Sequence, residues 1–205
     1  MRSVLIRLLG LSLIFAVPGV IQAATLLVVG DSLSAGYGIN ASAGWVALLD
    51  KRLIEQGYDY NVINASISGE TSTSGKVRMP TLLQTHHPDL VIIELGANDG
   101  LRGLPTKQIQ ANLADMINTA QHYKVKTLLI GMKLPPNYGE QYTTMFSQLF
   151  AELAKTYRLP FVPFLLEKVA LNPQLLQGDN LHPNAQAQPL LLDTIWPQLK
   201  PLLHR

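Results

Sequence analysis

The stretch DLVIIELG (residues 89–96) decides the fold class of this 205-residue chain. Its almost unbroken apolar run is typical of a strand buried on both faces, as in a parallel sheet covered by helices. Four further short runs predict strands: TLLVVG (25–30), YNVINA (60–65), KTLLIGM (126–132) and PFVPFL (160–165). They alternate with helical patterns at 44–56, 73–84, 106–123, 142–157 and 184–203. We therefore expect an α/β fold, a three-layer α/β/α sandwich around a five-stranded parallel sheet with right-handed crossovers.

Proline qualifies two of the helix predictions. Pro80 falls within the second helical stretch, and Pro189 and Pro197 fall within the last. Because Pro lacks an N–H donor and its ring clashes with the preceding turn, we expect breaks or kinks there. The chain shows no internal repeat or linker, and its length with 47% hydrophobic residues favours one globular domain.

The first 23 residues have the pattern of a secretory signal peptide. Arg2 and Arg7 precede an uncharged apolar stretch (8–17), and the small residues Ala23 and Ala24 follow. The apolar part is too short for a membrane span. We expect cleavage after Ala23 and a mature domain at 24–205 without a stable membrane anchor; an uncleaved anchor is the alternative.

Composition argues against several classes of function. Removal of residues 1–23 would take two of the 16 Lys and Arg residues and none of the 14 Asp and Glu residues, which leaves 14 of each. A chain without net charge or basic clusters gives no support for binding to nucleic acid or anionic membranes. The chain has no Cys, so a thiol nucleophile, a disulfide and a Cys-bound zinc are excluded. Hydroxyl, carboxylate and imidazole groups must carry any catalysis.

Ligands of open α/β sheets bind beyond the carboxyl ends of the strands, an edge we call the carboxyl edge. Five loops should meet there: GDSLSAGYG (30–38), SISGETSTSG (66–75), GANDGLRG (96–103), KLPPNYG (133–139) and, after a further segment, GDNLHPN (178–184). Of the five histidines, His182 alone lies in one of these loops. The others precede strands or lie in the C-terminal tail: His86, His87, His122 and His204.

Three residues of these loops form a candidate catalytic triad. Ser32 follows the first strand directly, and its hydroxyl must lose its proton to an imidazole during nucleophilic attack. Asp179 precedes His182 by three residues, near enough to accept the Nδ1 proton and leave Nε2 free as a base. The alternative is structural, with Ser32 as a helix cap and Asp31 as a turn residue.

Acyl transfer also needs hydrogen-bond donors aimed at the developing oxyanion. The candidates are the N–H of Ser32, the N–H of Gly69, where the absent Cβ permits close approach, and the side-chain amide of Asn98. Asn98 could instead shape a turn with Asp99 and Gly100.

These loops resemble the four sequence blocks of the SGNH, or GDSL, hydrolase superfamily. Ser32 in GDSLS matches the Ser block and Gly69 in SGET the Gly block. Asn98 in GAND matches the Asn block, and Asp179 with His182 in DNLHPN matches the last. The resemblance implies a flavodoxin-like SGNH hydrolase fold and supports the oxyanion role of Asn98. In one departure, DNL stands where Asp-Gly-Ile is expected.

Within the superfamily, the chain is similar to bacterial esterases that act on acyl thioesters, lysophospholipids and aryl or alkyl esters. The resemblance implies a periplasmic enzyme with small-molecule ester substrates and no metal or cofactor; we expect a monomer. It also implies that the segment 133–139 is a mobile loop lining the acyl site, with Leu134, Pro135, Pro136 and Tyr138 as its apolar surface. Capping the end of the fourth strand is the alternative role of this segment.

Two functions of other kinds stay open. A carbohydrate O-deacetylase would use the same catalytic set with a polar mouth, and a periplasmic binding protein would hold acyl chains without cleaving them. The apolar segment 133–139 favours acyl groups over sugars, and the presence of Ser32, Asp179 and His182 favours catalysis over binding. A dinucleotide site is disfavoured because GYGINA (36–41) begins well after the strand ends.

Overall fold

The computed structural model of the protein describes residues 23–204. The described residues form β1 (Ala24–Gly30), α1 (Ser32–Ala35), α2 (Trp45–Glu55), β2 (Tyr60–Asn64), α3 (Ser72–His86), β3 (Leu90–Glu94), α4 (Ala97–Leu101), α5 (Thr106–His122), β4 (Lys126–Ile130), α6 (Glu140–Tyr157), β5 (Phe161–Val162) and α7 (Gln188–Leu199). The predicted signal peptide lies outside them except for Ala23. From residue 23 to residue 204, no helix has both the length and the apolar character needed to cross a bilayer.

All five strands are parallel and stand in the order β2-β1-β3-β4-β5. The chain first moves from β1 to β2 at one edge and then returns to β3 on the other side of β1. The strand order therefore reverses between β1 and β3, and the loops that follow these strands diverge to leave a crevice at the carboxyl edge. Gly30 and Glu94 stand side by side where the two strands end.

Helices cover both faces of the sheet, as predicted. Helix α2 lies on one face, where it packs with α7, and α3, α5 and α6 lie in a row on the other. Residues 26–29 and 90–93 are consequently at most 1% exposed. The three-layer sandwich with a five-stranded parallel sheet is confirmed.

Strand β5 is much shorter than the predicted 160–165. It pairs with β4 only at Phe161 and Val162. Pro160 and Pro163 flank this pair and lack the N–H groups that a longer ladder would need. The segment nevertheless completes the predicted five-stranded sheet beside β4.

The predicted helix breaks at Pro80 and Pro197 are not observed. Pro80 and Pro197 lie inside α3 and α7 without ending either helix. Helix α7 begins at Gln188 instead of residue 184, because Asn184 caps a separate 3₁₀ turn (Ala185–Ala187). Pro189 then stands in the first turn of α7, where its missing N–H would have had no partner within the helix.

Candidate active site

Ser32 is the first residue of α1, directly beyond the end of β1. Asp31 caps this helix, since its Oδ1 accepts the Leu33 N–H at 3.0 Å. Gly36 ends the helix after one turn in the left-handed conformation, with φ of 73°. The motif GDSLSAG therefore builds a one-turn helix that begins with the candidate nucleophile at the carboxyl edge.

His182 reaches Ser32 from the loop that precedes α7. Its Nε2 lies 2.9 Å from Ser32 Oγ, and its Nδ1 lies 2.6 Å from Asp179 Oδ2. Because a carboxylate only accepts, Nδ1 carries a hydrogen, and in the neutral imidazole Nε2 accepts the Ser32 hydroxyl hydrogen. The structure thus brings together the three residues predicted as a triad, in an arrangement suited to general-base chemistry.

Asp179 is kept ionised by its own loop. Hydrogen bonds from the His182 N–H, the His182 ring and the Leu181 N–H lower the pKa of Asp179 to about 2. The two N–H groups both donate to Oδ1, at 3.0 Å and 2.9 Å, which leaves Oδ2 for the ring. Asn180 allows the tight turn at φ of 55°, a left-handed region that Asn tolerates better than most residues.

Two side chains missed by the sequence analysis support the histidine loop. The Tyr37 ring lies against the His182 imidazole, with ring centroids 4.7 Å apart and planes tilted by 43°. Gln177 Nε2 donates to the Tyr37 carbonyl at 2.7 Å and to the Pro183 carbonyl at 3.1 Å. Tyr37 belongs to the GDSLSAGYG motif, so its presence at the carboxyl edge could be predicted, whereas Gln177 gives no sequence signal.

The other histidines lie away from Ser32. His86 is the last residue of α3, His87 follows it, and His122 is the last residue of α5. The Nδ1 atom of His204 lies 2.9 Å from the hydroxyl of Tyr60, which stands at the start of β2. These positions belong to the sheet edge opposite the site.

Gly69 lies beside the site in the segment before α3. Its φ of +79° is in the left-handed region, and an added Cβ would have no heavy atom within 4 Å. Gly is therefore required by the backbone conformation and not by crowding. Within residues 23–204, neither the Ser32 N–H nor the Gly69 N–H donates to a protein acceptor.

Asn98 belongs to α4 and does not form the turn considered as its alternative role. Its Nδ2 donates to Asp31 Oδ2 at 3.1 Å and to the Glu70 carbonyl at 3.0 Å. The two amide hydrogens thus both have protein acceptors, in contrast to the two backbone donors. This restraint on the predicted oxyanion amide has no signal in the sequence.

Buried charges anchor the segment that contains Gly69. Glu70, with a side chain 2% exposed, pairs with Arg78 of α3 at 2.6 Å. Asp99 accepts the Ser72 N–H at 2.8 Å and the Ser72 hydroxyl at 2.6 Å. These contacts fix the segment against α3 and α4 and hold the Glu70 carbonyl in place.

The carboxyl groups of Asp31 and Glu94 form a buried pair beside α1. Glu94 Oε2 accepts the Ser34 hydroxyl at 2.6 Å and the Asp31 N–H at 3.4 Å. Burial raises the pKa of Asp31 to about 6, and burial with the Asp31 charge raises the pKa of Glu94 well above its usual range. A Cβ on Gly30 would fall 2.7 Å from Ser34 Oγ and 2.8 Å from Glu94 Oε2, so only Gly fits here.

A cavity of about 90 Å³ opens beside Ser32 and His182. Most of its wall is apolar and comes from several loops of the carboxyl edge: Leu33, Leu101, Met132, Leu134, Leu166 and Leu181. Of these six residues, only Leu134 is among those predicted from the sequence. The remaining five follow strands or flank His182, so their loops, but not their orientation, could be predicted.

The predicted acyl-site segment divides into two parts. Leu134 and Pro135 line the cavity. Pro136 and Tyr138 instead belong to a 3₁₀ turn (Pro136–Tyr138) outside the cavity wall. The Tyr138 hydroxyl donates to the Leu101 carbonyl at 3.0 Å, which ties the segment to α4.

Comparison with known proteins identifies the family of the chain. The model of the GDSL-like Lipase/Acylhydrolase family matches residues 28–189. Esterase TesA of Pseudomonas aeruginosa is 53% identical over 181 residues, which cover 88% of this chain and 90% of the relative. Thioesterase 1/protease 1/lysophospholipase L1 of Escherichia coli (strain K12) is 44% identical over 180 residues, 88% of this chain and 85% of the relative.

A solved structure gives the same result for the fold. The crystal structure of TesA superimposes with a TM-score of 0.86 at 53% identity and covers 87% of this chain and 99% of that one. The resemblance read from the sequence blocks is confirmed. The chain belongs to the GDSL-like lipase/acylhydrolase family and is a hydrolase of the esterase and thioesterase type.

Proposed function

We propose that this chain is a serine esterase with Ser32, His182 and Asp179 as its triad. The supporting observation is that His182 bridges the other two residues. Its Nε2 lies 2.9 Å from Ser32 Oγ, and its Nδ1 lies 2.6 Å from Asp179 Oδ2. Ser32 Oγ attacks the acyl carbonyl, and His182 takes its proton and passes it to the leaving alcohol or thiol. Water then attacks the acyl-enzyme by the same route, which releases the acid and restores the Ser32 hydroxyl.

The tetrahedral intermediate of each step carries a negative oxygen. In this proposal the Ser32 N–H, the Gly69 N–H and the Asn98 amide stabilise it. The two backbone donors have no protein acceptor within residues 23–204, so substrate can use them directly. Donors of this kind contribute roughly 3 kcal/mol each to transition-state binding in comparable sites.

The proposed substrates are acyl esters and thioesters, including lysophospholipids and aryl or alkyl esters. The apolar wall of the cavity suits a hydrocarbon acyl group, with Leu134 and Pro135 among the lining residues. An O-deacetylase would need polar side chains for a sugar around the same serine, and this wall does not favour it. We expect the protein to act as a monomer without metal or cofactor.

We also propose export to the periplasm with cleavage after Ala23. Ala24 opens β1, and its N–H donates to the Asp59 carbonyl at 3.1 Å, so the mature chain would begin at its first strand. N-terminal sequencing of the exported protein should start at Ala24. A chain that retains residues 1–23 after export would contradict this.

Replacement of the nucleophile tests the catalytic proposal. Ser32→Ala should lower hydrolysis of a short p-nitrophenyl ester by at least about 10⁴-fold, because it removes the hydroxyl that is hydrogen-bonded to His182 Nε2. Ser42→Ala is a matched control, since Ser42 is exposed and bonds only within its own 3₁₀ turn to Asn40. Equal rates for the Ser32 variant and the unmodified chain would refute the proposal.

A further inference from the structure

Asp31 contacts both the nucleophile helix and the oxyanion amide. Its Oδ1 accepts the Leu33 N–H at 3.0 Å, and its Oδ2 accepts a hydrogen of Asn98 Nδ2 at 3.1 Å. The residue is 1% exposed, so water does not substitute for either partner. Both oxygens therefore act as acceptors, one for each part of the proposed machinery.

The direction of the Asn98 amide depends on these acceptors. Nδ2 has two hydrogens, one for Asp31 and one for the Glu70 carbonyl, which lies 3.0 Å away. The Glu70 side chain is itself held by Arg78 at 2.6 Å. Because the terminal torsion of Asn has no sharp minimum, loss of the Asp31 acceptor would leave the amide held by a single bond.

We propose that Asp31 is a positioning residue for the oxyanion site. Its carboxylate orients the Asn98 amide so that a Nδ2 hydrogen is presented to the reacting carbonyl, and that hydrogen is shared with the oxyanion as charge develops. Asp31 does not touch substrate in this role and acts through Asn98. The inference rests on the proposed esterase function and adds a residue to it.

Glu94 helps to hold Asp31 in position. Glu94 Oε2 accepts the Asp31 N–H at 3.4 Å and the Ser34 hydroxyl at 2.6 Å, which joins the end of β3 to α1. Both groups lie close to the Gly30 backbone, where a Cβ would fall 2.7 Å from Ser34 Oγ and 2.8 Å from Glu94 Oε2. Asp31 is thus fixed at its backbone by Glu94 and at its side chain by Leu33.

Asp31→Asn separates the two acceptor roles. Asn has one acceptor oxygen and one NH₂ group, so it can satisfy the buried Leu33 N–H or the Asn98 amide, but not both. With the oxygen on Leu33, its NH₂ faces the NH₂ of Asn98, and two donors oppose each other. We expect kcat to fall by about 10- to 100-fold with KM changed less than about twofold, because the lost interaction belongs to the transition state.

A double-mutant cycle shows whether Asp31 acts through Asn98. Asn98→Ala should lower kcat by about 100-fold, and adding Asp31→Asn to it should cost less than about a further twofold. Asp89→Asn is a matched control, because the exposed Asp89 also accepts a backbone N–H, that of Thr25 at 2.8 Å, at the opposite sheet edge. It should leave kcat unchanged.

Additive losses in the cycle would overturn the inference, since Asp31 would then act independently of Asn98. The proposed esterase function fails separately, if Ser32→Ala in the same assay keeps its activity. Should Asp31→Asn not fold, Asp31→Ser keeps an oxygen that caps α1 and removes the acceptor for Asn98. It should show the same non-additive loss of kcat, and unchanged kcat in this variant would also overturn the inference.

Discussion

At the scale of single residues, the pKa values of the Asp31 and Asp179 carboxyl groups are shifted in opposite directions by their surroundings. The Asp179 side chain is 41% exposed and accepts three hydrogen bonds, so its pKa falls to about 2. Asp31 is 1% exposed and lies near other carboxyl groups, so burial raises its pKa to about 6. Asp179 therefore supplies a permanent charge to His182, whereas Asp31 carries its charge at a cost in stability.

This cost predicts a pH dependence of folding. Burial raises the Asp31 pKa from 3.8 to about 6, while the Leu33 N–H and His182 oppose the increase and Asp99 and Glu70 add to it. The folded state thus binds the proton more tightly, so the stabilisation is complete below pH 3.8 and is lost as pH rises through about 6. Between pH 4 and 7 the unmodified chain should lose about 2 kcal/mol of unfolding free energy relative to Asp31→Asn.

Urea unfolding of both proteins at the two pH values measures this difference. The Asn variant has no charge at this position, so it lacks the Asp31 contribution to the pH dependence. Its stability should improve relative to the unmodified chain as pH rises, even though its turnover falls. A difference that stays constant, or that moves in favour of the unmodified chain, would show that burial does not govern Asp31.

At the scale of elements, the common edge of the site loops could be anticipated better than the contacts between those loops. Apolar runs and carboxyl-edge loops predicted that Ser32 and His182 would meet, because parallel strands end at a common edge. The two bonds of Asn98 could not be predicted, since they depend on where a backbone carbonyl of another loop lies. The bond of the Tyr138 hydroxyl to a backbone carbonyl of α4 could not be predicted for the same reason.

The ion pair between Glu70 and Arg78 gives a prediction at this scale. Arg78→Met keeps the aliphatic stem but leaves the Glu70 carboxylate, 2% exposed, without its partner. We expect a loss of about 3 to 5 kcal/mol in unfolding free energy. Lys76→Met is the control on the same helix, because the pair of Lys76 with Asp115 is exposed on both sides and should contribute less than about 1 kcal/mol. Similar losses in urea unfolding of the two variants would contradict the role of the buried pair.

At the scale of the whole molecule, the fold places a small set of polar groups where a parallel sheet leaves its largest opening. Strands β1 and β3 supply Ser32 and Asn98 on the two sides of the crevice, and the loop before α7 brings His182 across it. The apolar pattern predicted this architecture because burial on both faces of a strand is encoded locally. The length of β5 was overestimated because strand length depends on ladder partners, which Pro160 and Pro163 restrict.

Covalent trapping tests the central claim, that Ser32 is the nucleophile, most directly. An alkylphosphonate with a p-nitrophenol leaving group should react with Ser32 Oγ, release one p-nitrophenolate per chain and leave a phosphonyl group that resists hydrolysis. Intact-protein and peptide mass spectrometry should locate one adduct on Ser32, with ester hydrolysis lost in proportion, and Ser32→Ala should remain unlabelled. An adduct on another residue, or full esterase activity in the chain labelled at Ser32, would contradict the account.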